Sequence, residues 1–221
     1  MLMKKFLATG LAALGATAAL PAGAVVIFFD NKVAFDAVST TTLRATFEGF
    51  NQLVDTPSIA NPYTEGGVTF LNPSNLYIAA PTGAAVAVGD IEFPISSNVL
   101  TVSGNEDITM TFAGSAPTAV GFASFTNKFA APVVSVFDTS SLLIGNYILT
   151  QAPDSAGFVG ITSTVGIGSV RWLANNGGIK DTAIDNVYVS QVPEPSTWAL
   201  MLVGATLLGF TAKQRKGPDS N

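Results

Sequence analysis

About eleven short segments rich in β-branched and aromatic residues follow one another through the middle of this sequence, and they constrain its fold more than any other feature. Glycine, proline and asparagine turn formers separate them at intervals of roughly ten residues. One short helix is indicated, after Asp30, which is predicted to be its N-cap. Because parallel sheets need long crossover connections, the pattern predicts an all-β fold, an antiparallel two-sheet β-sandwich or jelly roll, over residues 25–190.

Alternation of apolar and polar residues supports these strand assignments. The segment "ITMTFAG" places Ile108, Met110 and Phe112 on one face of a strand. The segment "AVGFASF" places Phe122 towards the core, and the interval from there to Phe125 departs from period two, which predicts a β-bulge. The fifteen phenylalanines can supply a core, at about 1.5–3 kcal/mol for each fully buried side chain.

The chain contains neither cysteine nor histidine, and this excludes several kinds of chemistry. Disulfides, thiol nucleophiles, Ser-His-Asp catalysis and histidine zinc sites all require one of the two residues. Residues 25–190 hold five Lys or Arg and thirteen Asp or Glu, a formal charge of −8. An acidic domain repels phosphate backbones, so no nucleic-acid partner is expected, whereas cation binding is compatible with the charge.

The amino end has the three parts of a secretory signal peptide. Lys4 and Lys5 precede an apolar run over residues 6–20, and Ala22-Gly23-Ala24 follows as a small-residue cleavage site. A buried amphipathic helix is the alternative, but the run has no polar face. Residues 1–24 are therefore predicted to direct export and to be cleaved after Ala24.

The carboxyl end has the features of a membrane span. Residues 196–212 carry no charge, and as a helix they would reach roughly 25 Å, close to the thickness of a bilayer core. Lys213, Arg215 and Lys216 follow as a basic stop, which favours the cytoplasmic side. The sequence predicts a transmembrane helix with the middle domain outside and a polar tail, residues 217–221, inside; a core helix of a soluble domain is the alternative.

A short stalk stands directly before that run, formed by Val192, Pro193, Glu194, Pro195 and Ser196. The two prolines fix φ, remove two backbone donors and hold the residues before them in extended geometry. Glu194 is therefore expected to be displayed on a stiff, accessible segment beside the membrane, where a protease could bind it as a strand.

The order of Pro-Glu-Pro, apolar helix and basic cluster over residues 191–216 resembles the PEP-CTERM sorting signal of Gram-negative bacteria. The resemblance implies that an exosortase, a membrane-embedded cysteine protease of transpeptidase type, cuts the chain at residues 192–196. It also implies delivery to the cell surface or to an exopolysaccharide (biofilm) matrix. The expected partners are thus the exosortase, the membrane and exopolysaccharide.

The middle of the chain carries a second resemblance. The segments "TFEGF", "GGVTF", "PTAVGFASF", "FVGITS" and "AIDNVYV" resemble parts of β-sandwich ectodomains found ahead of this sorting signal, which are similar to galactose-binding-like jelly rolls. The resemblance implies that the ectodomain, residues 25–190, is a jelly roll of that type.

Two acidic residues stand in otherwise apolar segments at the beginning and the end of the domain. Glu48 lies in an early predicted strand and Asp185 in the last one, with Asn186 beside it. First and last strands of jelly rolls are often neighbours, and carboxylates with backbone carbonyls bind Ca²⁺. A structural Ca²⁺ at Glu48 and Asp185 is the resulting hypothesis; the alternative is that both residues cap turns or face water.

Other candidate groups point less clearly to function. The acid pairs Asp90/Glu92 and Glu106-Asp107 resemble the paired carboxylates of glycosidases, but adjacent strand residues face opposite sides, and solvated turns are expected. Trp172 and Tyr188 could stack on a sugar, but strand aromatics are more often in the core, which is the expectation here.

The sequence therefore predicts an exported, non-catalytic surface or matrix protein that is the substrate of an exosortase. Two alternatives for the ectodomain stay open: a carbohydrate-binding module, and a glycoside hydrolase that uses carboxylates alone.

Overall fold

The computed structural model describes residues 23–50, 58–81, 95–103, 107–126, 132–151, 155–173 and 183–190. Fourteen strands and one short helix lie within these ranges. In chain order they are β1 (Val26–Phe29), α1 (Lys32–Asp36), β2 (Thr41–Ala45), β3 (Ser58–Ile59), β4 (Tyr63–Glu65), β5 (Val68–Leu71), β6 (Asn75–Ala79), β7 (Val99–Ser103), β8 (Ile108–Phe112), β9 (Ala119–Thr126), β10 (Val133–Asp138), β11 (Leu143–Ile148), β12 (Ser155–Ser163), β13 (Ile167–Leu173) and β14 (Ala183–Ser190).

The strands form two antiparallel sheets, which confirms the predicted all-β sandwich. One sheet has eight strands in the order β1-β12-β9-β14-β7-β6-β3, with β2 paired to β14 beside that path. The other has six strands in the order β11-β10-β13-β8-β5-β4. More strands are present than the sequence predicts, because β3 and β4 are only two and three residues long and are too short to show alternation.

The core between the sheets is built from apolar side chains of both. Phe47, Phe70, Phe122 and Trp172 are all fully buried in one cluster. The rings of Phe122 and Trp172 meet edge to face at 5.5 Å, a favourable arrangement for aromatic pairs. Trp172 is therefore a core residue, as expected, and is closed to a ligand.

The predicted bulge in β9 is wrong. β9 pairs with β12 from Thr126 to Ala119 without a break in register. Phe125 lies on the other face of the sheet, in a small cluster with Ala79, Val99 and Ala183. The irregular spacing of apolar residues in β9 therefore reflects burial on both faces, and not a shift in the backbone.

Helix α1 covers part of the outer face of the eight-stranded sheet. Its N-cap is Asn31, whose Oδ1 accepts from the backbone N–H groups of Val33 and Ala34 at 2.8 and 3.2 Å. The prediction of Asp30 as the cap is thus wrong by one residue. Both residue types cap helices equally well, so the sequence alone does not choose between them.

Strand β14 lies in the middle of the larger sheet and has three neighbours. β9 pairs along one side of it. On the other side its first residues pair with β7 and residues 187–190 pair with β2. The register shifts between Asp185 and Tyr188, where Asn186 has φ of 49°. The sheet therefore forks at Asp185, between the end of β2 and the start of β7.

In the ranges that the structure describes, no helix has the length and apolar character needed to cross a bilayer. The predicted signal peptide up to residue 22 lies outside these ranges. So do the sorting motif at residues 192–196, the predicted helix at 196–212, the basic stop at 213–216 and the tail at 217–221.

Candidate functional site

The two acids singled out from the sequence come together at the fork in the larger sheet. Ser97 Oγ donates to Asp185 Oδ2 at 2.6 Å. The backbone N–H of Asn98 donates to Glu48 Oε1 at 2.9 Å. Two consecutive residues before β7 therefore hold both carboxylates. The prediction that Glu48 lies in a strand is wrong, because Glu48 lies in the turn that follows β2.

Asp185 is a buried carboxylate in an acidic environment. Its residue is 1% exposed, and Asn186 donates to it through the backbone N–H at 2.6 Å and through Nδ2 at 2.7 Å. Burial raises its pKa to about 6, repulsion from Glu48 and Glu65 acts in the same direction, and the hydrogen bonds from Ser97 and Asn186 oppose the shift. The one ion pair between described residues, Lys32–Asp36, lies elsewhere, so no described cationic side chain pairs with Asp185.

Asn98 joins the two halves of the site. Its Nδ2 donates to the carbonyl oxygens of Phe47 and Phe50, at 3.1 and 3.0 Å, and so closes the turn that carries Glu48. Phe47 has φ of 59°, a left-handed conformation that a bulky residue rarely adopts. The Asn98 Oδ1 is buried and has no hydrogen-bond partner in the described part of the chain. A buried acceptor without a donor calls for an explanation such as a bound ion or water.

Glu65 braces the site from the other sheet. Its Oε1 accepts from the backbone N–H groups of Thr46 and Phe47 at 2.9 and 3.3 Å, and its Oε2 accepts from Tyr63 OH at 2.9 Å. Burial, followed by the interaction with Glu65, raises the pKa of Tyr63 to about 12. Since both carboxylate oxygens are engaged, Glu65 positions the Glu48 turn and adds negative charge.

Sequence reasoning missed Ser97, Asn98 and Glu65. Ser97 and Asn98 stand in "PISSN", which reads as an ordinary turn. Glu65 precedes Gly66-Gly67, which also indicates a turn. Gly66 has φ of +55°, and a Cβ there would overlap the Arg44 carbonyl oxygen. That glycine was the one available signal that the chain near Glu65 approaches β2 closely.

The arrangement offers oxygen ligands and hydrogen-bond acceptors, but little for catalysis. No group of three or more Asp or Glu residues forms a metal-binding cluster on its own within the described ranges. Asp185 is buried, so a substrate cannot reach the carboxylate. Of the predicted acid pairs, Asp90, Glu92 and Glu106 lie outside the described residues.

Comparison with known proteins identifies the carboxyl end of the chain. Residues 191–216 match the family model of the PEP-CTERM protein-sorting motif, which confirms the resemblance. The motif implies export, recognition by an exosortase and sorting to the cell surface. No curated protein sequence matches the chain significantly.

Several solved β-structures are similar in outline. The K2 cleaved adhesin domain of Lys-gingipain has a TM-score of 0.44 and 10% identity, over 67% of this chain and 98% of that one. The K3 domain, from Porphyromonas gingivalis w83, has a TM-score of 0.39 and 11% identity, over 69% of this chain and 100% of that one. The family 11 carbohydrate-binding module of a Clostridium thermocellum cellulase has a TM-score of 0.37 and 10% identity, over 70% of this chain and 96% of that one. With TM-scores below 0.5, these structures indicate nothing about what this chain binds.

Proposed function

We propose that this chain, which carries a PEP-CTERM protein-sorting motif at residues 191–216, is an exported protein whose non-catalytic β-sandwich is displayed at the cell surface after exosortase cleavage. The motif at the end of the chain is the observation that carries the proposal. Export requires the predicted signal peptide, residues 1–24, and presentation to the exosortase requires the predicted helix and basic stop. Association of the displayed domain with exopolysaccharide is part of the same proposal.

The junction between sandwich and motif supports the proposal. β14 ends at Ser190, one residue before the motif begins. Ser190 Oγ accepts from the backbone N–H groups of Thr118 and Ala119 at 3.0 and 2.9 Å. The last described strand is thus hydrogen-bonded up to its final residue, and cleavage within the motif removes no residue of the described sheets.

A non-catalytic ectodomain agrees with the chemistry of the chain. The sequence has no Cys or His to act as a nucleophile or a general base. The carboxylate with the raised pKa, Asp185, is buried beneath Ser97 and Asn186. A hydrolase that works with carboxylates alone needs two that reach the substrate, so this alternative finds no support at the Glu48–Asp185 site.

The proposal is tested by expressing the full chain in a Gram-negative host that has an exosortase and in the same host without it. We expect loss of the segment after residues 192–196, and appearance of the domain at the surface, only when the exosortase is present. The triple variant Pro193→Ala, Glu194→Ala, Pro195→Ala should remain uncut, whereas the matched variant Pro218→Ala, Asp219→Ala in the tail should be cut normally. An intact full-length chain in the cytosol, or equal masses from both hosts, contradicts the proposal.

A specific observation favours a second proposal, a structural Ca²⁺ at Glu48 and Asp185. Among the residues that the structure describes, the buried Asn98 Oδ1 has no hydrogen-bond partner and the buried Asp185 has no ion-pair partner, and both lie at the fork. Ca²⁺ takes six to eight oxygen ligands, typically carboxylates, amide or backbone carbonyls and water. Glu48, Asp185 and Asn98 supply three residues of this type, and the role of the ion there is to neutralise the site and to hold β2, β7 and β14 together.

Calorimetric titration of the EDTA-treated full chain with Ca²⁺ tests this second proposal. We expect binding heat and a higher melting temperature, and the loss of both in the variant Asp185→Asn. The variant Asp138→Asn is the matched control, because Asp138 only caps the turn before β11, accepting from Ser140 and Leu142. The absence of binding heat, together with an unchanged melting temperature, in the wild-type chain would contradict the proposal of a Ca²⁺ site.

A further inference from the structure

A groove runs along the outer side of the larger sheet, beneath the connection from α1 to β2. It consists of two cavities, of about 490 and 320 Å³, which share Ser39 and Thr40 in their walls. The larger cavity continues past the start of β9 and the end of β12 to Ser190 at the end of β14. The groove is therefore separate from the Glu48–Asp185 site and lies beside the point where the chain continues into the sorting motif.

The larger cavity is lined mostly by small hydroxyl residues, together with Val38 and Ala119. Six Ser and Thr residues line it, among them Thr40, Thr162 and Ser163. Each hydroxyl can both donate and accept a hydrogen bond. Ser39, Ser163 and Ser190 already use part of this capacity in bonds to the backbone. The remaining donors and acceptors of the wall suit a ligand that carries hydroxyl groups of its own.

The smaller cavity combines an apolar wall with a charged pair, beside the hydroxyl groups of the α1–β2 connection. The expectation that Tyr188 lies in the core is wrong: it points outward from β14 between the buried Val187 and Val189, and it lines the cavity together with Leu43. Lys32 Nζ lies 4.4 Å from the centre of the Tyr188 ring and 2.6 Å from Asp36 Oδ2. Aromatic faces beside polar groups are suited to molecules that have both C–H faces and hydroxyl edges.

The charges in and around the groove distinguish neutral from anionic hydroxyl-rich ligands. Lys32 and Asp36 neutralise each other within the groove. The domain as a whole, residues 25–190, has a formal charge of −8, which repels polyanions. The chemistry of the groove therefore favours an uncharged polyol over a uronate, a sulfated glycan or a phosphate.

The wall formed by α1 is held in place by close packing. Phe35 from α1 lies on a pair of facing glycines, Gly121 and Gly160. A Cβ at Gly160 would lie 2.7 Å from Phe35 Cδ2, and one at Gly121 would lie 2.9 Å from Phe35 Cε1. The helix thus packs closely on the backbone of the sheet through Phe35. A groove wall held in place in this way lowers the cost of binding.

We propose that this groove binds a short neutral oligosaccharide, with its sugar rings against Tyr188 and the hydroxyl-lined cavity and its hydroxyls bonded to Lys32, Asp36 and Thr40. The inference rests on the proposed export, since such a ligand would be met outside the cell. It gives the displayed domain a defined ligand class and places the sugar next to the sorting motif.

The test is calorimetric titration of the full chain in lauryldimethylamine oxide, a detergent without a sugar head group. The probes are cellohexaose, laminarihexaose and mannohexaose, with hexagalacturonate as the polyanionic comparison. We expect at least one neutral hexasaccharide to bind more tightly than hexagalacturonate. Tyr188→Ala and Thr40→Leu should each weaken that binding by at least about tenfold, corresponding to the loss of a stacking or hydrogen-bonding contact.

Tyr77→Ala is the matched control, because Tyr77 is a half-buried tyrosine of the same sheet, in β6. This variant should bind the neutral hexasaccharide as tightly as the wild type does. Thr40 is exposed in a connection, so Thr40→Leu reports on the groove even if Tyr188→Ala unfolds. Binding of none of the neutral probes, equal affinity in both groove variants and the wild type, or tighter binding of hexagalacturonate would each overturn the inference. A chain that is cut by the exosortase but binds no sugar defeats this inference and leaves the proposed function standing.

Discussion

At the scale of single residues, Asp185 is a buried carboxyl group without an ion-pair partner among the described residues. Its pKa of about 6 lies above the ordinary aspartate value of about 3.9, chiefly because the residue is buried. Without metal, the folded state therefore favours the protonated form. That stabilisation is fully present below the unfolded pKa and is lost as the pH rises through about 6. A bound cation reverses the preference, because it requires the ionised form.

The EDTA-treated chain should therefore lose stability between pH 4 and pH 7, by about 3 kcal/mol for a shift of about two pKa units. Added Ca²⁺ should restore the loss at pH 7. Thermal unfolding followed by circular dichroism, across that pH range with and without Ca²⁺, measures both effects. In Asp185→Asn the fall with pH and the response to Ca²⁺ should both be flattened. A wild-type profile that matches that of Asp185→Asn contradicts the prediction.

Asn98 is expected to stabilise the fold whether or not a metal binds. Asn98→Ala leaves the carbonyls of Phe47 and Phe50 without their donor, and we expect a loss of about 2–4 kcal/mol, since each unsatisfied buried group costs about 1–3 kcal/mol. Asn146→Ala, which removes a single contact with Ser135 Oγ, should cost less than about 1.5 kcal/mol. Urea unfolding in EDTA compares the two, and equal losses would show that Asn98 is not a structural tie.

At the scale of elements, the sequence predicts a strand correctly where one face is apolar and the other polar. The prediction is less accurate where both faces of a strand are buried. β8 alternates cleanly and lies as predicted. β9 buries apolar residues on both faces, so its spacing was mistaken for a bulge, while the real register shift lies in β14 beside it. The short strands β3 and β4 depend on pairing with partners rather than on their own pattern.

The packing of α1 on the sheet gives a prediction at the same scale. Gly160→Ala places a methyl group against Phe35, and we expect a loss of about 1–3 kcal/mol from overpacking. Gly49→Ala is the matched control, because a Cβ there meets nothing within 4 Å. Denaturant unfolding of both variants measures the difference. A Gly160→Ala chain as stable as Gly49→Ala would show that α1 moves freely over the sheet.

At the scale of the whole molecule, the organisation was more predictable than the site. Two-sheet architecture follows from short alternating segments, and the sorting motif follows from a local order of residues. The site depends on contacts between distant positions: Ser97 meets Asp185 across 88 positions and Asn98 meets Glu48 across 50. Glu48 and Asp185 stood out because they interrupt apolar segments, whereas their partners resemble any surface turn.

The central position of β14 makes the fold sensitive to where the chain is cut. A chain that ends at residue 191 should keep the melting temperature of the full chain within about 2 °C, because the last described strand is intact. A chain that ends at residue 182 lacks the strand between β9, β7 and β2 and should not fold. Thermal unfolding and limited proteolysis distinguish the two products. A protease-resistant core in the shorter product would contradict the prediction.

β14 is the last described strand to be synthesised, yet it lies in the middle of the larger sheet. The larger sheet can therefore be completed only after most of the chain has been made. β2, β7 and β9 emerge long before their common neighbour and must wait for it. Under the export that we propose, we therefore expect the sandwich to stay incomplete until residues 183–190 have crossed the membrane. The sorting motif begins directly after β14, at residue 191, so we expect completion of the sandwich and arrival of the motif to fall close together.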